Sequence, residues 1–248
     1  LDWNISDFNS VDSGSEEESA DIAAALCGTG DAEILMKGDV HSDVFIKSVI
    51  TSKNKIRTPN RLIHIFYITP PNGSDGLMIS DAAVNIVLNE KSKKKATAIV
   101  VDLLRKLGIA RPKVAFLSHS TFGKPSSRNT KHVREAIEIL KSKKVDFDFD
   151  GEMQPDVALN PKYKETYPFS KIVGNANILI MPALHSAAIS TKLMKTIGGA
   201  KTIGPLLIGL GLPIEIAPLR SSPNDILNLA SVAAYSAEII DYKNKKKN

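Results

Sequence analysis

Short apolar runs bounded by glycine or proline recur along this chain and alternate with segments whose apolar residues fall at helical spacing. The runs cover residues 32–36, 62–68, 76–79, 113–117, 178–181, 202–210 and 214–218. Residues 19–26, 41–50, 92–107, 130–141, 186–196 and 224–239 read as helices; 92–107, for instance, puts Ile99, Leu103 and Leu107 on one face. Near-continuous apolar strands are stable in water only when helices cover both faces of their sheet, so the pattern predicts an α/β protein with a mainly parallel sheet. No internal repeat is present.

With 248 residues, 43% hydrophobic and 24% charged, the chain has the composition of a globular protein with a sizeable core. The most apolar stretch, 202–219, contains Pro205, Pro213, Pro218 and Glu215, which argues against a membrane span and for buried strand and turn. The first nineteen residues are acidic and polar and lack the pattern of a signal peptide. The chain begins at Leu1 rather than methionine, as a fragment would. Cys27 is the one cysteine, so an intramolecular disulfide is excluded, and its apolar surroundings suit a small buried hydrophobe. A reducing, cytoplasmic setting fits that usage. The net charge of +5 comes with lysine clusters at 91–95, 141–144 and 243–247. These lack the interleaved aromatic groups of a nucleic-acid surface and read as solvated helix ends, although a basic balance attracts anionic substrates.

In parallel α/β folds, ligands sit beyond the carboxyl ends of strands. Three such loops carry anion-binding groups. The first contains Lys37, Gly38, Asp39, His41 and Ser42; the second contains Ser118, His119, Ser120, Thr121, Gly123 and Lys124; the third runs from Leu219 and Arg220 to Asp225 and opens the last helix. Glycine permits close backbone approach, and the hydroxyl, imidazole and ammonium groups donate hydrogen bonds to an anion. Each loop also fits ordinary turn chemistry or helix capping. Glycine-rich nucleotide fingerprints and the nucleophile elbow are absent, and the five histidines show no metal-ligand spacing.

Longer segments carry a family resemblance. VAFLSHSTFG at 114–123, DGEMQPDVA at 150–158, the runs MPALHSAAISTKL and IGGAKTIGPLLIGL within 178–210, and DILN at 225–228 resemble phosphate acetyltransferase motifs in the same order. The second half is similar to the phosphotransacetylase-like C-terminal domain of NADP-dependent malic enzymes. In the first half, ILMKGDVHSD at 34–43, RTPNRLIHIF and LMISDAAVNI resemble the wider phosphate acetyl/butyryltransferase group.

The resemblance implies two α/β domains of isocitrate/isopropylmalate dehydrogenase-like type, with the active site in the cleft between them, as a homodimer. Residues 1–55 with 207–248 would form a first domain lacking its N-terminal part, and 56–206 the second. It implies reversible acetyl transfer between coenzyme A and phosphate, by direct attack in a ternary complex, with no metal and no cofactor beyond coenzyme A as substrate. Asp225 would take the thiol proton. Ser118, Ser120, Thr121 and Gly123, with Lys192, would hold the acyl phosphate; Lys37, Gly38, His41, Ser42, Arg57 and Thr58 are further anion contacts. Asp150, Glu152 and Asp156 read as residues that order a loop near the cleft. One departure stands out: where family members carry a Ser-Arg-Gly run, this chain has Pro218, Leu219 and Arg220, so Leu219 takes the arginine's place and Arg220 lies one residue late. Two other readings stay open, a non-catalytic acetyl-CoA-binding regulatory or oligomerisation domain of malic-enzyme type and a phosphate butyryltransferase.

Overall fold

The computed structural model describes residues 4–60, 62–73, 76–80, 97, 101–102, 105, 111–123, 128–143, 145–219 and 221–245. The helix expected over 92–107 lies outside these residues apart from Thr97, Val101, Asp102 and Arg105.

The first helix, α1 (Glu16–Thr29), begins earlier than apolar spacing alone suggests. Ser15 caps it by accepting from the Glu18 amide at 3.2 Å, and Glu16, Glu17 and Glu18 complement the positive end of the helix dipole. Gly30, at φ 90°, ends it in the left-handed conformation that glycine adopts without penalty. There follow β1 (Leu35–Lys37), α2 (Ser42–Ile50), β2 (Ile63–Thr69), β3 (Leu77–Ser80) and β4 (Lys113–Leu117). The second half adds α3 (Arg128–Lys141), β5 (Asp148–Met153), the short α4 (Pro155–Leu159), β6 (Ile178–Ile180), α5 (Leu184–Thr196), β7 (Lys201–Ile208), β8 (Ile214–Ile216) and α6 (Pro223–Lys245).

The eight strands among the described residues form one sheet in the order β1-β8-β7-β2-β3-β6-β4-β5. Four pairings are parallel, β1–β8 at one edge and β3–β6–β4–β5 at the other. Between them β2 and β7 pair antiparallel with each other, and with β3 and β8 respectively. The two parallel regions therefore run in opposite senses and are joined by the β2–β7 ribbon.

Alternation along the strands divides the core by face. On one face Val114, Phe116, Ile178, Ile180, Met78, Ile63, Ile65 and Leu206 pack in one cluster with Val133, Ala136, Ile137 and Leu140 of α3 and Leu229 of α6. On the opposite face the core splits in two. One part packs Ala115, Leu117, Leu179 and Ile79 against Val157 and Ala158 of α4 and Ala187 of α5; the other packs Leu35, Leu207, Ile214 and Ile216 against Ala24, Cys27, Phe45 and Val49 of α1 and α2. Cys27 is buried, and burial pushes its thiol pKa up, which suits an inert packing role. No helix among the described residues is long and apolar enough to cross a membrane.

Candidate active site

Strand direction sorts the expected site residues into two groups. The segment Ser118–Gly123 leaves the carboxyl end of β4 and lies over the end of β5. The Ser118 amide donates to Met153 O at 3.0 Å, the Phe122 amide to Glu152 O at 2.9 Å, and Thr121 Oγ1 accepts from the Gln154 amide at 3.0 Å. These bonds fold the segment into a tight loop, with Phe122 at φ 47°. Ser118 is buried, its hydroxyl 3.5 Å from His119 Nδ1. Ser120 Oγ is shielded from solvent and has no partner among the described residues. A buried hydroxyl without a partner costs free energy, so the loop is built to gain from an incoming hydrogen-bonding group. Among the described residues, glycine at 123 leaves only Ser120 Cβ within reach of where a side chain would begin, at 3.8 Å.

Beneath this loop lies the segment whose acidic residues the sequence assigns to loop ordering. Asp150 Oδ1 accepts from the Gly151 amide, Asp156 from the Tyr163 hydroxyl, and Glu152, with no exposed surface, from Arg134 Nε and Nη2 at 2.8 and 3.0 Å. No group of residues suited to a metal ion occurs among the described residues.

The second group gathers where β1 and β8 end. The Ala217 amide donates to Lys37 O at 3.0 Å, which sets the Lys37–Ser42 loop beside the segment leading into α6. There Ser222 and Asp225 form a reciprocal capping box. Asp225 Oδ2 accepts from the Ser222 amide and hydroxyl at 3.0 and 2.9 Å, and the Asp225 amide donates to Ser222 Oγ at 3.2 Å. Lys195 Nζ, on α5, stands 3.8 Å from the same carboxylate oxygen. The Ser222 hydrogen bonds, with Lys195, hold the Asp225 carboxyl below its ordinary pKa. Lys192 is exposed one turn earlier on α5, on the face that carries Lys195. One ammonium group, that of Lys195, and the N-terminus of a 23-residue helix thus adjoin the Asp225 carboxylate.

Other expected residues have local partners. Lys37 is buried, with Nζ donating to Gly38 O at 2.9 Å, and the Gly38 Cα faces open space. His41 uses its backbone amide and Nδ1 on Glu16 Oε2, at 2.9 and 2.8 Å; this raises the imidazole pKa and lowers that of the carboxylate. Ser42 is exposed at the first turn of α2. Arg57 and Thr58 sit by the far end of β7: Arg57 bridges Leu210 through its backbone, and the Thr58 hydroxyl donates to Gly209 O at 2.6 Å. Arg220 lies outside the described residues, whereas Leu219 is 79% exposed.

The two groups are linked by α5. It starts after β6, on the edge where the Ser118–Gly123 loop lies, and ends before β7 beside Asp225. Its 13 residues span about 20 Å at 1.5 Å per residue. Sequence reasoning missed Lys195 and Arg134; Lys195 carried a signal in its three-residue spacing from Lys192.

A family model described as phosphate acetyl/butaryl transferase matches residues 8–234. The chain belongs to this family. Among phosphate acetyl/butyryltransferase relatives, the chain is 33% identical over 168 residues to the phosphate acetyltransferase of Clostridium acetobutylicum, covering 67% of this chain and 50% of that protein. It is 44% identical over 161 residues to the NADP-dependent malic enzyme of Rhizobium meliloti strain 1021, covering 65% of this chain and 21% of that enzyme. The crystal structure of a phosphotransacetylase from Streptococcus pyogenes superposes with a TM-score of 0.80 at 29% identity, covering 89% of this chain and 67% of that one. The chain thus spans about half the length of its phosphate acetyltransferase relative and about a fifth of that malic enzyme.

Proposed function

We propose that this chain carries the acyl-transfer unit of a phosphate acetyltransferase, moving an acetyl group reversibly between coenzyme A and phosphate. The observation that carries the reading is the pair of anion-ready groups in a chain of this family, one with the Ser120 hydroxyl, unpartnered among the described residues, and one with Asp225 beside Lys195. In the direction of acetyl-CoA synthesis, Asp225 takes the proton of the thiol and the thiolate sulfur attacks the acetyl carbonyl of acetyl phosphate. A carbon–sulfur bond forms, the carbon–oxygen bond to phosphate breaks, and phosphate departs with the bonding pair. Amides and hydroxyls of the Ser118–Gly123 loop, with Lys192, hold the phosphoryl oxygens and the developing oxyanion. The reaction balances with coenzyme A and phosphate alone, without an acyl-enzyme intermediate. Because the two groups stand at opposite ends of α5, turnover requires them to close on the substrates.

Leu219 favours a second reading, an acetyl-CoA-binding regulatory domain like the region matched in malic enzymes. Arginine grips a phosphoryl group through two parallel hydrogen bonds, which leucine cannot supply. A phosphate butyryltransferase is the same chemistry with a longer acyl chain. The deciding experiment is a thiol-release assay with acetyl-CoA or butyryl-CoA plus phosphate, on wild type and Leu219→Arg, alongside coenzyme A titration. Turnover supports the transferase, and the preferred ester sets the acyl length. Tight coenzyme A binding with no turnover in wild type, and turnover gained in Leu219→Arg, supports the regulatory domain.

The expected homodimer also belongs to this reading. Ile189 and Leu193 on α5, with Ile197 at its C-cap, form an exposed apolar stripe at four-residue spacing, and Leu219 and Leu227 are exposed as well. A reducing compartment is proposed from the single, buried cysteine.

A further inference from the structure

We propose that Arg134 and Glu152 are a positioning pair for the loop Ser118–Gly123, locking it in the shape that receives the phosphoryl group; the inference rests on the acyl-transfer reading above. Glu152 has no exposed surface, and both its oxygens are taken by Arg134, in a two-pronged pairing at 2.8 and 3.0 Å. A carboxylate buried this deeply is sustained only by such a partner. The backbone of the same residue does different work: Glu152 O accepts from the Phe122 amide, while its neighbours Met153 and Gln154 bond to Ser118 and Thr121.

Three hydrogen bonds therefore join the loop to residues 152–154, and the side chain of Glu152 fixes that stretch to α3, the helix that follows the loop in sequence. The loop leaves β4, crosses the end of β5, and is held from its far side by the helix it leads into. The order Ser118, Thr121, Phe122 in the loop meets Met153, Gln154, Glu152 below it, so a shift of Glu152 moves the whole segment. The unpartnered Ser120 hydroxyl sits within this clamped span. A donor gains most from an incoming anion when its position is fixed beforehand, and the clamp supplies that fixity.

Removing Arg134 alone strands a buried carboxylate and endangers folding, so the variants are Arg134→Lys, Arg134→Met and the neutral double variant Arg134→Met with Glu152→Gln. In each, amide hydrogen exchange at Ser118, Phe122 and Gln154 reads the clamp directly. Acetyl phosphate KM and coenzyme A Kd read its consequence, and circular dichroism checks the fold. In the double variant, exchange at the three amides is expected to quicken at least tenfold. The acetyl phosphate KM should rise about tenfold, with coenzyme A Kd within twofold of wild type. Arg134→Lys should recover part of the loss. A folded double variant with unchanged exchange overturns the proposal, and so does an equal weakening of both substrates. Quickened exchange in a protein whose wild type binds neither substrate sustains the clamp and overturns the acyl-transfer reading instead.

Discussion

At the scale of single residues, Asp225 divides its carboxylate between two duties. Oδ2 closes the capping box with Ser222 and faces Lys195. These contacts depress the carboxyl pKa, so the group is ionised throughout the neutral range. Its capping contribution is present above the unfolded carboxylate pKa and is lost as pH falls through the lower folded value. If it also serves as base, Asp225→Asn lowers turnover by roughly 10²–10⁴-fold while coenzyme A titration shows little change. Undiminished turnover would leave the carboxylate with the cap alone. Glu215 presents the opposite case. It lies on β8 between Met36 and Leu206, is buried, and its Oε2 has no partner among the described residues; burial pushes its pKa up to about 9. Between the ordinary carboxylate value and that one, the unfolded chain releases a proton that the folded chain keeps. Stability therefore falls with rising pH across this window, by about 1.4 kcal/mol per pH unit from this group. Glu215→Gln removes that slope. Urea midpoints of variant and wild type should diverge from pH 5 to pH 8 in favour of the variant; a constant difference would mean that Glu215 is ionised in the fold.

At the scale of elements, apolar runs and helical spacing made most of the fold legible, because burial dictates both patterns. The strand expected at 113–117 matches β4, and α2, α5 and β7 start or end within two residues of expectation. Legibility failed where local polar bonds, not burial, set the structure. β5 continues to Met153 through Asp150 and Glu152; Glu152 reads as loop because Arg134, the partner that lets it be buried, lies 18 residues away. The start of α1 was hidden because the Ser15 cap and three glutamates carry no apolar signal. In the candidate site, hydroxyl-rich loops after strands were visible, yet the partners that occupy His41 and Thr58 were not, since Glu16 and Gly209 lie 25 and 151 residues away. The exposed stripe on α5 has an element-level test. Leu193→Glu puts a charge into the proposed dimer surface, and sedimentation should then give a monomer where wild type gives a dimer. A monomeric wild type would leave the stripe without this role.

For the whole molecule, a ligand that binds only the folded chain must raise its melting temperature. Coenzyme A at a hundred times its Kd should add about 2.7 kcal/mol of stability, seen as a shift in thermal denaturation. A shift with nucleic acid and none with coenzyme A would revive the lysine clusters as the binding surface. Closure of the two groups on coenzyme A and acetyl phosphate together should reduce the radius of gyration in small-angle scattering. An unchanged radius with both bound would confine the chemistry to one group.

The antiparallel β2–β7 ribbon and the β1–β8 pair also bear on how the chain is made. Leu35 pairs with Ile214, a partner synthesised about 180 residues later. At ribosomal speeds of about 5–20 residues per second, the first strand waits roughly 10–35 s for its neighbour. During that interval α1 and α2 lack Leu207, Ile214 and Ile216, the sheet residues with which Phe45 and Val49 pack in the folded chain. A nascent chain halted before residue 214 therefore leaves the apolar sides of α1 and α2 without the β8 residues they pack against, open to chaperones and proteases.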